Sequence, residues 1–390
     1  VQGLKMKWLG LISLLLVVLV SSAPTDDEVV LPLAEPCDLE ACQLPDCRCS
    51  TTDIPGGLAA RDTPQFVVMT FDGPVDEYSL QDFNKYLGGR TNMNGCPVGA
   101  TFYINHGSTN YEVVNQMYNQ GFEIGLKSIS HNPNHEYWAE GTVEEMRKEF
   151  GDQRITMSHF ANIPIEDIKG IRIPYLQMAG NATFQVMSES GLTYDASWPS
   201  TTDLNPALWP YTLDYASTQD CPNPPCPTAS FPGKWVLPLA SWEDPEGNPC
   251  HLADSCPSPP DLYNSNAWFE YMVSNFERHY TSNRAPFGMH FREWFLSAFP
   301  GPQMALPRFL NLLNSLPDVF MVNAGEVIDW IKNPVPINEY SSKPCRAQAA
   351  ECPVNSCGPL KADHTYEQFW LQACNECPNV FPWLGNPLGK

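Results

Sequence analysis

The sequence is poor in charge, and poorest in positive charge. Only 17% of its 390 residues are charged, with 22 Lys and Arg against 44 Asp and Glu, giving a formal net charge of -22. No stripe of Lys or Arg could track a phosphate backbone, which argues against nucleic acid as a partner. There is no internal repeat and no low-complexity tract, so a repeat array is excluded. The one long apolar run, Leu9 to Val20, is too short and wrongly flanked for a membrane span. With Lys7 before it and Ser21, Ser22 and Ala23 after it, residues 6–22 read as a secretory signal peptide. Residues 1–5, which precede Met6, read as translated leader. What the chain does have is 43% hydrophobic and 12% aromatic residues, enough to bury a large core.

All 14 cysteines lie beyond the leader. An even count in a secreted chain implies a disulfide framework whose connectivity the sequence leaves open. Zinc binding by Cys47-x-Cys49 or Cys374-x-x-Cys377 is the alternative. The cysteines crowd into residues 37–49 and 345–377, which divides the chain into a Cys-rich extension (33–60), a central domain (61–335) and a second Cys-rich extension (336–390). Asn181-Ala-Thr183 is a glycosylation sequon, expected on an exposed turn.

Through the centre, strand-like and helix-like segments alternate. Gln65 to Phe71 reads as a fully buried strand, and VGATFYI, FEIGL, GIRIPY, LTYDAS, WVLPLAS and FGMHF follow it, with helical patterns between. Thr142-Val-Glu-Glu145 is a capping box that opens a helix running towards Phe160. Seven or more such units in one core predict an α/β fold closed into a barrel. In a barrel the chemistry sits at the carboxyl ends of the strands. Asp72, Lys127 to His131, Arg172, Asp195 and Arg292 all fall there.

Taken in order, T-F-D-G (70–73), K-S-I-S-H (127–131), R-I-P-Y (172–175), Y-D-A-S (194–197) and F-G-M-H-F-R-E-W (287–294) resemble the five motifs of the polysaccharide deacetylases, carbohydrate esterase family 4. The connecting sequence is similar to that of the insect chitin deacetylases lacking a separate chitin-binding module. The resemblance implies a distorted (β/α) barrel with disulfide-stapled N- and C-terminal extensions. It also implies a metal-bound water, usually on zinc, that a general base activates to remove acetyl groups from N-acetylglucosamine units of chitin.

By the same resemblance, Asp72 matches the base, Arg172 the residue that orients it, and His131 one metal ligand. The chain then departs from the pattern. Gly73 stands where a ligand carboxylate should be, Lys127 where the first histidine ligand should be, and Arg292 at the position of the catalytic acid. A guanidinium stays protonated and cannot cycle a proton. One imidazole does not make a catalytic zinc site, which normally has three protein ligands. The cofactor is therefore zinc if the protein is active, and none if the metal triad is incomplete. Lys127 and Arg172 are expected to pair with Asp72 where the metal would have been. Asp244 is the expected partner of Arg292.

Rescue of the metal by His135, with His131 and a carboxylate such as Glu136, is resisted by Pro133. His290 is read as a core histidine, with proton donation as its alternative. For sugar stacking the candidates are Tyr175, Trp198, Trp242 and Trp294, together with Trp209 and Tyr211. The expectation is a secreted, monomeric chitin binder of an extracellular matrix such as the gut lumen or peritrophic matrix, a placement the resemblance alone supplies. The alternatives are a working zinc-dependent chitin deacetylase and, more weakly, a glycosidase using Glu243 and Asp244.

Overall fold

Gln65–Asp72 is buried along its whole length in the computed structural model, as a continuous β-branched and aromatic run requires of a strand covered on both faces. The structure describes residues 31–390 apart from Glu293, Arg346, Ala347 and Asp363, so the expected leader and signal peptide lie outside the described residues. The main sheet comprises β1 (Gln65–Asp72), β2 (Thr101–Ile104), β3 (Glu123–Leu126), β4 (Gly170–Ile171), β5 (Tyr194–Asp195), β6 (Tyr211–Leu213), β7 (Phe231–Val236), β8 (Phe287–Arg292) and β9 (Val319–Met321). Its spatial order is β8-β1-β2-β3-β4-β5-β7-β6, with β9 also pairing β1. Every pairing is parallel except β6 with β7.

The ladder stays open between its end strands β6 and β8, and the short strand Leu239–Ala240 lies beside β8. This is the distorted barrel expected from the sequence. Two glycines make room for its filling. A Cβ on Gly125 would come within 2.6 Å of the Tyr103 ring, and one on Gly170 within 2.1 Å of Tyr194. Both tyrosines are fully buried and their hydroxyls lie 3.4 Å apart. Phe66, Val68, Trp209, Phe320 and Trp330 extend the same core.

The Thr142–Glu145 capping box forms as predicted. The helix it opens is not continuous: a single π turn, Arg147–Gly151, separates Val143–Met146 from Asp152–Ala161. All 14 cysteines pair, as Cys37–Cys49, Cys42–Cys47, Cys96–Cys345, Cys221–Cys226, Cys250–Cys256, Cys352–Cys374 and Cys357–Cys377. Cys47, Cys49, Cys374 and Cys377 thus each belong to a different disulfide, which corrects the zinc alternative for them. The N-terminal extension is tied to the sheet through Arg48, whose amide donates to Thr212 Oγ1. In the C-terminal extension, Asn355–Ala362 and Thr365–Ala373 pair as an antiparallel hairpin.

Candidate active site at the strand carboxyl ends

Asp72 closes β1 and is buried at the level of Tyr103 on β2 and Arg292 on β8. Lys127, which follows β3, donates from Nζ to Asp72 Oδ2 at 2.7 Å. Arg172, which follows β4, donates from one terminal nitrogen to Asp72 Oδ1 at 2.9 Å and to Thr70 Oγ1 at 2.6 Å. Its guanidinium lies 4.2 Å from the centre of the Tyr103 ring and its Nε donates to the Ala196 carbonyl. Burial alone would raise the Asp72 pKa, but the two cations outweigh it and hold the carboxyl below its usual range. The side chain is therefore an ionised carboxylate with a cation on each oxygen. The pairing of Lys127 and Arg172 with Asp72 is the arrangement expected from the sequence.

The K-S-I-S-H segment has left-handed backbone at Ser128 (φ 92°) and His131 (φ 44°), an uncommon conformation for such residues. What holds it lies behind it, on the π turn. Glu149, fully buried, accepts from the amides of Ile129 and Ser130, the Ser130 hydroxyl and the Tyr137 hydroxyl at 2.9 Å. Gln153 accepts from the Ser128 amide at 2.8 Å. Sequence reasoning missed both residues. The signal available was two polar side chains four apart on the buried side of an amphipathic helix.

Burial, and then Lys127, push the His131 imidazole below its usual pKa, against the pull of Asp72. Its ring centre lies 6.1 Å from Tyr175, and that of His135 lies 4.2 Å from the same tyrosine. His135 begins a new helix, His135–Ala139, so it does not share a helical face with His131. Among the described residues, the three potential ligand atoms lying within 4.8 Å of one another belong to Cys37, Cys42 and Cys49, all in disulfides.

Arg292 is the third departure from the motifs, and its partner is not the one expected. Its amide and Nε donate to Asp254 Oδ2 at 2.7 and 3.1 Å. Asp254 sits in the loop closed by Cys250–Cys256. Asp244 instead caps its own turn, accepting from the amides of Glu246, Asn248 and Ser258. His290 is a core histidine: its Nδ1 lies 2.8 Å from Thr70 Oγ1. That hydroxyl also accepts from Arg172. Burial, then Arg172, push His290 well below its usual pKa, and the imidazole is neutral.

Chitin deacetylase 8 of Bombyx mori is 53% identical over 361 residues, 92% of this chain and 95% of that protein. The chain belongs to the chitin deacetylase family. Chitin deacetylase 1 of the same insect is 34% identical over 91% of this chain and 69% of its own length. A solved family 4 acetyl xylan esterase of Clostridium thermocellum superposes with a TM-score of 0.40 at 16% identity, covering 72% of this chain and 98% of that one. No protein-family model matches the chain.

The aromatic candidates divide. Tyr175 and Trp294 are exposed at 41% and 43%. Tyr175 is held there in a left-handed conformation (φ 59°), and Trp294 lies 4.8 Å from the Arg292 guanidinium. Trp198, Trp209, Tyr211 and Trp242 are buried. Trp198 donates to the Asp220 carbonyl, and Trp242 donates to the Gly288 carbonyl while stacking on Phe287. No flat face of these four is open to a sugar, which corrects the expectation for Trp198 and Trp242.

Asp195 is a buried carboxyl whose oxygens accept from the Ser197 amide and hydroxyl, with burial pushing its pKa up to about 6. Glu243 pairs with Arg278 at 3.5 Å, so Glu243 and Asp244 do not face each other as a glycosidase pair would. Asn181 opens the helix Asn181–Glu189 rather than sitting on a free turn, and its side-chain oxygen accepts from the amides of Thr228 and Ala229. A separate cavity of about 530 Å³, lined by Cys96, Gly121, Lys169, Asn323 and Cys345, lies at the amino ends of the strands and touches none of the motif residues.

Proposed function

We propose that this chitin deacetylase family member binds chitin outside the cell, and that metal-dependent deacetylation is reduced or lost in it. The observation that carries the reading is the Lys127 ammonium 2.7 Å from Asp72. A divalent ion requires deprotonated carboxylates or neutral imidazoles around it. At the three matching positions this chain has a glycine, an ammonium and one imidazole, and they do not fit such an ion.

Lys127 and Arg172 bring two positive charges to Asp72, so the buried carboxylate is compensated without a metal. Gly73 has φ 144°, a conformation that strains any residue with a side chain, so the missing ligand goes with a backbone suited to glycine. Arg292, held by Asp254, cannot give up its proton to a leaving amine. Tyr175 and Trp294 supply rings on which pyranose faces can stack, and stacking needs no metal. Seven disulfides suit an oxidising extracellular compartment such as a gut lining.

The test is acetate release from chitin oligosaccharides by the purified protein with zinc in excess, run beside retention on chitin beads. The expected result is retention without release. Release that a chelator abolishes would overturn the loss of catalysis.

A further inference from the structure

Arg292 is half exposed, whereas the carboxylate that holds it is not exposed at all: the two side chains are 42% and 0% accessible. The pair therefore presents a cation at the surface with its anion behind it. The sheet sets where that cation stands. β1 and β8 pair in unbroken parallel register from Val67–Phe287 to Asp72–Arg292. Thr70 and His290, two residues earlier, touch at 2.8 Å in the buried interior, so two-residue alternation turns Asp72 and Arg292 to that same inner face. The loop sets Asp254. Cys250–Cys256 closes it, and the Ala253 amide donates to the His290 carbonyl at 3.1 Å.

Which N–H groups are taken decides what Arg292 can bind. Nε donates to Asp254 Oδ2 at 3.1 Å and Nη2 to the Asp254 carbonyl at 3.3 Å, so one edge of the planar fork is used. The end of the fork, Nη1 with the second hydrogen of Nη2, has no acceptor among the described residues. Two parallel N–H groups on a planar cation match the two oxygens of a carboxylate. A neutral acetamido group offers one oxygen and no charge, so it gains less. The exposed Trp294 ring lies 4.8 Å from the guanidinium. A pyranose stacked on that ring brings a substituent to the fork.

The surrounding charge does not oppose an anion. Deeper in the mouth, Asp72 is shared by Lys127 and Arg172. The net charge of -22 belongs to the whole chain, and physiological salt screens exposed charges beyond about 8 Å. We propose that Arg292 recognises a sugar carrying a carboxylate, so that the mouth prefers an acidic glycan, such as one alternating N-acetylglucosamine with a uronic acid, to a neutral one. A sugar at Trp294 rests on the proposed function, whereas the acid rests on the Arg292 fork.

The experiment measures binding to the purified full chain by calorimetry at about 150 mM salt. The probes are a hexasaccharide alternating N-acetylglucosamine with glucuronic acid, its methyl ester, the chitin hexamer and sodium acetate. The acid is expected to bind roughly tenfold or more tighter than its ester, a comparison that needs no variant. The Arg292→Gln/Asp254→Asn double variant, which removes both charges and strands neither, is expected to bind acid and ester alike. Arg292→Lys, which keeps a cation on Asp254 without the fork, is expected to keep only part of the preference. Equal binding of acid and ester by the parent, or a preference that survives in the double variant, overturns the inference; binding of the chitin hexamer then leaves the proposed function standing. A preference for the acid without any binding of the chitin hexamer overturns the proposed function and leaves the fork reading. Acetate bound as tightly as the acidic hexasaccharide makes this a site for a free carboxylate and overturns the inference, and binding of none of the four overturns both readings.

Discussion

At the scale of single residues, the pocket turns on one carboxylate shared by two cations. Removing a partner from a buried ion cluster strands the remaining charge, which costs more than the cluster contributes. Asp72→Asn leaves Lys127 and Arg172 beside a neutral amide and is expected to destabilise the protein by about 3–5 kcal/mol. Lys127→Met leaves Asp72 paired one to one with Arg172 and is expected to cost less, about 1–3 kcal/mol. The pH dependence has a definite sign. The Asp72 pKa is lowered from 3.8 in the folded protein, so its contribution is complete above that value and is lost as pH falls below it. Urea titrations from about pH 3 to pH 7 check this, with the Asn variant expected to lack that acid loss. An Asn variant as stable as the parent at neutral pH would mean that Asp72 does not organise the pocket.

At the scale of elements, the π turn Arg147–Gly151 matters because of where it aims one side chain. Single π turns inside α-helices recur at functional sites. Here the turn brings Glu149 under the 128–131 loop, where one carboxylate takes two amides and two hydroxyls. Burial, the largest influence, raises the Glu149 pKa against these hydrogen bonds. Glu149→Gln keeps the shape but puts two donors where four donors converge. The loop is expected to loosen by about 1–3 kcal/mol, read as faster hydrogen exchange at the Ile129 and Ser130 amides. Unchanged exchange at both amides would show that the loop is held by something other than Glu149.

At the scale of the whole molecule, Cys96–Cys345 joins the entry of β2 to the C-terminal extension across 249 residues. Closing so long a loop restricts the unfolded chain more than the short loops of Cys42–Cys47 or Cys221–Cys226 do. Replacing both Cys96 and Cys345 with serine is expected to cost about 2–5 kcal/mol by chemical denaturation. Chitin retention of the folded fraction is expected to persist, because this disulfide lies at the amino ends of the strands and the pocket at their carboxyl ends. A stability loss no larger than that for the Cys42 and Cys47 double serine variant would count against the loop-length argument.

Much of this was already legible in the chain. Continuous apolar runs marked β1 to β3 because buried parallel strands admit little else, and the Thr142–Glu145 spacing marked a helix start because two backbone donors must be capped there. The motif order placed Asp72, Lys127, Arg172 and Arg292 at one mouth, and the resemblance, with two of its metal ligands missing, called through charge balance for Lys127 and Arg172 beside Asp72. Tertiary structure decided the rest. Tryptophans are alike in sequence whether they line a groove or fill a core, so only packing separated Tyr175 and Trp294 from the buried Trp198 and Trp242. A carboxylate's partner depends on loops folding back through space, which gave Arg292 to Asp254 while Asp244 capped its own turn. Disulfide pairing and the support from Glu149 were decided in the same way, because each joins residues that the fold brings together and that spacing along the chain does not relate.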